Sequence, residues 1–154
     1  MRAVEEYGPQ ADVLHFAGHG FSNAGNGGLL LSPEMAGADR AGILDGARLA
    51  QKDWSRCRLA VLSACSTGTG EARGPVNPES LVRGLLWAGV ARVVASRWNM
   101  DSETGAALMN RFYNALVSGD DVAKALQQAA RGLRDNAETS HPYYWAGFQN
   151  FGAR

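Results

Sequence analysis

Cysteine is scarce in this sequence: two among 154 residues. That excludes a disulfide-dense secreted scaffold and a four-cysteine zinc site. Net charge is also missing, since 15 lysines and arginines stand against 15 aspartates and glutamates. A protein that coats nucleic acid, or holds a membrane through a polybasic patch, rests on accumulated positive charge, so neither is expected. No apolar run approaches the roughly 20 residues that cross a bilayer. At the N-terminus Glu5 and Glu6 stand where a signal peptide needs an apolar stretch. These absences lead us to expect a soluble, cytoplasmic domain. The G-x-x-x-x-G-K-[ST] phosphate loop, the G-x-S-x-G elbow and the G-x-G-x-x-G dinucleotide turn are all absent. A phosphatase-type cysteine loop needs an arginine where Glu71 stands; the nearest is Arg73.

What is present reads as one globular unit. Apolar residues make up 45% of the chain, and a chain of this length hides roughly 70% of its unfolded surface, so a proper core is expected. Four apolar runs have strand length: residues 13–17 (VLHFA), 59–64 (LAVLSA), 91–96 (ARVVAS) and 145–151 (WAGFQNF). The second and third are near-continuous, as central strands covered on both faces should be. Residues 29–31 and 42–44 lie among glycines and Pro33 and suggest a surface hairpin. Helical patterns fill the gaps. Asn77 and Pro78 supply a cap and a first-turn proline, Leu81, Leu85, Leu86 and Ala88 follow, and Gly89 stops the helix. A second helix starts after Asp101, with Met109, Phe112, Tyr113 and Leu116 on its inner face, and ends at Gly119. A third begins at Asp120 or Asp121, with Val122, Leu126, Ala129, Ala130 and Leu133 inward. Strands alternating with helices predict an α/β layer fold around a mostly parallel sheet.

In such folds the chemistry gathers at the carboxyl ends of the strands. Two ends are loaded here: the first strand runs into Gly18-His19-Gly20, and the second into Cys65-Ser66-Thr67-Gly68. If the strands are parallel neighbours, His19 and Cys65 share a rim about one strand spacing apart. A thiol with a pKa near 8.5 is only a few per cent thiolate at neutral pH, and an adjacent imidazole can take its proton. The N–H groups of Gly20 and Cys65 are candidate donors to an oxyanion; one such donor is worth about 10²–10³ in rate. The bland alternative is a small buried cysteine and a structural histidine.

The residues themselves resemble a known family. HFAGHG (residues 15–20) followed by GLLLSPE (28–34) is similar to the histidine block of CHAT domains, caspase-like cysteine peptidases related to separase and the caspases. The resemblance continues through LAVLSACSTGTGE (59–71), LVRGLLWAGVARVVASRWNMD (81–101) and HPYYWAGFQNFG (141–152), in the family's order. It implies a caspase-like three-layer sandwich in which His19 is the general base, Cys65 the nucleophile and Gly20 the oxyanion glycine. No metal or organic cofactor is implied, and the partner is a protein or peptide substrate. Two departures stand out. Members often carry two successive acids where this chain has Asp101-Ser102. The family's core also begins with strands and a helix ahead of the histidine strand, whereas only residues 1–12 precede Val13 here. Residues 1–154 are therefore expected to be a single CHAT-like domain lacking the N-terminal strands. On that expectation it is the C-terminal part of a larger catalytic unit, whose sheet an upstream segment or a partner chain completes.

Several residues admit two readings. His15 and His19 share a strand face but lie about 13 Å apart, too far for one metal ion, so His15 is expected to be a structural partner under the site. Asp101 is either the acidic floor of a pocket for a basic P1 residue (the residue whose carbonyl is cut) or the N-cap of the following helix. Trp98 either walls that pocket or packs. His141, before Pro142, is expected to be structural. Cys57, between Arg56 and Arg58 at the far end of its strand, is expected to be a bystander. The functional expectation is a cysteine endopeptidase acting through a covalent acyl-enzyme. Its rivals are a catalytically silent CHAT-like interaction module and an acyltransferase or other thiol hydrolase using the same dyad.

Overall fold

The computed structural model describes residues 2–23, 26–32, 42–66 and 78–152. Within these, the side chains of residues 2, 21–23, 26–27, 65–66 and 78–80 lie outside the description. The chain opens with helix α1 (Arg2–Tyr7), then strand β1 (Val13–Asn23) turns into β2 (Asn26–Leu30), followed by β3 (Ile43–Asp45) and α2 (Gly46–Leu49). After β4 (Leu59–Ser66) come α3 (Pro78–Trp87), β5 (Val93–Ser96), α4 (Ser102–Val117), α5 (Val122–Arg134), α6 (Pro142–Trp145) and β6 (Phe148–Phe151).

The six strands of the described residues form one sheet in the order β3-β2-β1-β4-β5-β6. The three central strands, β1, β4 and β5, are parallel; β2 and β6 run antiparallel to their inner neighbours, and β3 turns back again. Four of the six strands thus share one direction, giving the mostly parallel α/β sheet that alternating strands and helices predicted. Alternation along β4 explains its near-continuous apolar sequence. Ala60, Leu62 and Ala64 enter one core with Leu49, Trp54, Leu81 and Leu85. Leu59 and Val61 enter a second, with Leu108, Phe112, Leu126 and Leu133. Helices α2 and α3 therefore cover one face, and α4 and α5 the other, in the layered arrangement of a caspase-like sandwich. No helix among the described residues is long and apolar enough to cross a membrane.

Local chemistry ends the helices where expected. Gly89, at φ +106°, takes a left-handed conformation that stops α3. Gly84 has a different purpose: a Cβ there would strike the backbone of Gly46, so its bareness lets α3 close on α2. The expected Asn77 cap lies outside the described residues. Asp121, not Asp120, caps α5, accepting from the N–H groups of Ala123 and Lys124 at 2.9 and 3.0 Å.

Three expectations need adjusting. β1 does not stop at Ala17 but runs on to Asn23, because β2 pairs with it from His19↔Leu30 to Asn23↔Asn26. The pairing of β2 with β3 does form, yet it is no surface feature: Leu29 and Leu44 are 1% and 0% exposed and belong to the core. The last strand is shorter than expected and starts at Phe148, since Trp145 ends α6 and Ala146 and Gly147 form a bend.

Candidate active site

β1 and β4 pair in parallel over eight rungs from Val13↔Leu59 to Gly20↔Ser66, and His19 is the register partner of Cys65. Partners in a parallel ladder project to the same face, and neighbouring strands are about 4.8 Å apart. His15, Ala17 and His19 alternate onto one face, opposite the positions of Val61, Ser63 and Cys65. That face carries α4, because Val61 packs with Leu108 and Phe112. Residues far apart in sequence thus come to adjacent positions at the end of the parallel ladder. The side chain of Cys65, and with it the ring-to-sulfur approach, lies outside the described residues. So does the turn after Ser66. Gly20 is buried at the last rung, flanked by Leu29 of β2 and Ser66 of β4.

Beside this pair a cavity of about 600 Å³ opens between the sheet face and α4. His15 and His19 from β1, Ser63 from β4, and Trp98 and Asp101 from the segment after β5 all line it. Trp98 and Asp101, both named from sequence, thus meet His19 on one concave surface. Trp98 is half-buried, and its indole N–H donates to the Tyr143 carbonyl at 3.1 Å, which fixes the ring as a wall. Asp101 caps α4: its Oδ1 accepts from the Thr104 N–H at 2.9 Å and from the Thr104 hydroxyl at 3.1 Å. The Thr104 N–H, foremost, holds its carboxyl below the ordinary value. The capping reading therefore holds, and the carboxylate still borders the cavity.

At the far end of the cavity the Tyr113 hydroxyl lies 2.9 Å from His15 Nδ1, with the two rings 5.5 Å apart. Partial burial lowers the pKa of His15 and raises that of Tyr113. A neutral His15 with Nδ1 as acceptor matches a donating hydroxyl. The expected structural partnership of His15 is thus with Tyr113, which sequence reasoning had placed only as a core-facing residue of its helix. A polar tip on an inner helical position was the available signal. Ser63 and Ser96 were also missed; the Ser96 hydroxyl donates to the Ala64 carbonyl at 2.9 Å.

The remaining candidates lie elsewhere. Cys57 is 0% exposed, its thiol donating to the Leu59 carbonyl at 3.4 Å. Burial pushes its pKa up, the opposite of activation. His141 caps α6, its Nδ1 accepting from the Tyr143 N–H at 3.2 Å. Among the described residues no three His, Cys, Asp or Glu side chains gather as metal ligands would.

Comparison with known proteins agrees with this layout. A search of curated proteins found no match. The family model of the CHAT domain matches residues 1–153. With the match spanning almost the whole sequence, and with a sheet and helical layers of the caspase-like kind, the chain belongs to the CHAT-domain family, a peptidase-related fold.

Proposed function

We propose that the chain is a cysteine endopeptidase that cleaves protein or peptide substrates through a Cys65–His19 dyad and a covalent acyl-enzyme. The observation that carries this reading is the β1–β4 register, in which His19 and Cys65 are partners beside a substrate-sized cavity. In the first half-reaction His19 takes the thiol proton and the sulfur attacks the carbonyl carbon. The displaced electron pair moves onto oxygen, where the N–H groups of Gly20 and Cys65 are the proposed donors. As the tetrahedral species collapses the C–N bond breaks, and His19 gives its proton to the leaving amine. Water then attacks the thioester, His19 takes one of its protons, and the C–S bond breaks to release the acid and restore the thiol. No step calls on a cofactor. Trp98 and Asp101 form the mouth of the substrate pocket. Cytoplasmic residence suits a mechanism built on a reduced thiol, alongside a second free cysteine, Cys57. Among the described residues the outer edge of β1 is paired only over residues 19–23. Completion of the catalytic unit by further strands at residues 13–18, from this chain or a partner, belongs to the same proposal.

The test is cleavage of a peptide mixture followed by mass spectrometry, with acid quenching to trap a thioester on Cys65. Cleavage should disappear with Cys65→Ala and fall about 10²–10⁴-fold with His19→Ala. Cleavage that survives both changes, or a wild-type chain that neither cleaves nor acylates, would leave the interaction module as the better reading.

A further inference from the structure

Gly105 occupies the first turn of α4, buried, with its N–H donating to the Asp101 carbonyl at 2.8 Å. Its backbone is ordinary right-handed helix, so conformation does not require glycine there. Packing does not require it either. Among the described residues a Cβ at Gly105 would meet nothing within 4 Å, whereas one at Gly84 would collide with the backbone of α2. Inside a helix glycine is the least favourable residue after proline, so this glycine weakens α4 without serving the fold. Its one structural consequence is space, because Gly105 lines the cavity beside His19.

The chemistry of that space is apolar. Met100, Met109, Phe148 and Trp98 are among the residues that line it. Several of the polar groups around it already have partners: Ser96 with Ala64, the Trp98 indole with Tyr143, Tyr113 with His15, and Asp101 with Thr104. Among the described residues no lysine or arginine lines it, so an acidic side chain would find no counter-charge there. Among the described lining residues a basic one would find only Asp101, a solvent-exposed carboxylate already engaged as a cap, and exposed ion pairs contribute little. An apolar side chain gains by leaving water along its whole length.

We infer that this cavity is the P1 pocket of the proposed peptidase, that it takes a large apolar side chain (leucine, methionine or phenylalanine), and that Gly105 sets its capacity. The inference rests on the peptidase reading, and the experiment separates the two. Tripeptide acyloxymethyl ketones differing only at P1 (Ala, Leu, Met, Phe, Lys or Asp) are incubated with the full chain, and the labelling rate of Cys65 is followed by mass spectrometry. The large apolar probes should outpace the Ala, Lys and Asp probes tenfold or more, the scale that hydrophobic pockets reach. Gly105→Leu, which fills the space, should cut the Leu:Ala rate ratio tenfold or more. Gly105→Ala should lower the Phe:Ala ratio by less. Both substitutions should hold or raise Tm, because each is the better helix former and has room for its Cβ. If Cys65 is labelled fastest by the Lys probe, or the ratios ignore both substitutions, the pocket inference is wrong and the peptidase reading stands. A fall in Tm for both variants would also overturn it, since the space would not exist. If no probe labels Cys65 faster than Cys57, the peptidase reading falls and takes the inference with it.

Discussion

His15 and His19 stand four residues apart on one face of β1, yet their surroundings give them different work. His15 is shielded on one side by Tyr113, whose hydroxyl holds Nδ1, and partial burial disfavours its charged form. A histidine whose folded pKa lies below its ordinary value of about 6.5 binds protons more readily when unfolded. Stability is therefore lost as pH falls below that ordinary value, and the loss levels off once the folded pKa is passed. His15→Gln removes this titration. In thermal melts from pH 7.5 to 5.5 the Tm advantage of the wild type over the variant should shrink with falling pH. A gap that stays constant would mean that the ring is not shielded. Asp101 shows the converse sign. Its carboxyl is held down chiefly by the Thr104 N–H, so its contribution is present above the ordinary carboxylate value and fades as acid protonates it.

Among the elements, the helices are set by their caps. Asp101, Asp121 and His141 each accept from N–H groups of the helix they precede. Asp121 satisfies two such groups on α5. Asp121→Ala should cost about 1 kcal/mol, lowering Tm by roughly 2–4 °C for a domain of this size. Asp121→Asn should recover most of that; equal losses from both variants in thermal denaturation would contradict the capping account. These helices were legible in the sequence because caps, 3.6-residue spacing and terminal glycines coincide. Phe112, Leu126 and Leu133, named from that spacing, are buried. β4 was legible for a similar reason: a run covered on both faces cannot alternate. β1 was read too short because Gly18 and Gly20 weaken a strand on propensity alone, and only the pairing with β2 extends it. Likewise Leu29 and Leu44 looked peripheral among glycines until the sheet placed them over the core. The Tyr113–His15 bond was invisible because it joins a strand to a helix nearly a hundred residues later.

At the scale of the whole molecule, the sheet turns two separate sequence blocks into one rim. Two cores, one holding Trp54 and the other Phe112, both 0% exposed, clamp the sheet from its two faces. That rigidity fixes the β1–β4 register and hence the pairing of the His19 and Cys65 positions. The sequence pointed to this meeting through strand ends and family resemblance, but the resemblance alone carried no register. Activation of the Cys65 thiol by His19, as proposed, is open to test by alkylation. Iodoacetamide labelling of Cys65 and Cys57 is followed by mass spectrometry from pH 5 to 9, in the wild type and in His19→Ala. A free thiol is only a few per cent thiolate at neutral pH. Cys65 should react much faster than buried Cys57 at pH 7, and its profile should extend to lower pH than a free thiol's. His19→Ala should return Cys65 to free-thiol behaviour, slowing it about tenfold or more at pH 7. Equal rates for the two cysteines, unchanged by His19→Ala, would mean that His19 does not activate Cys65.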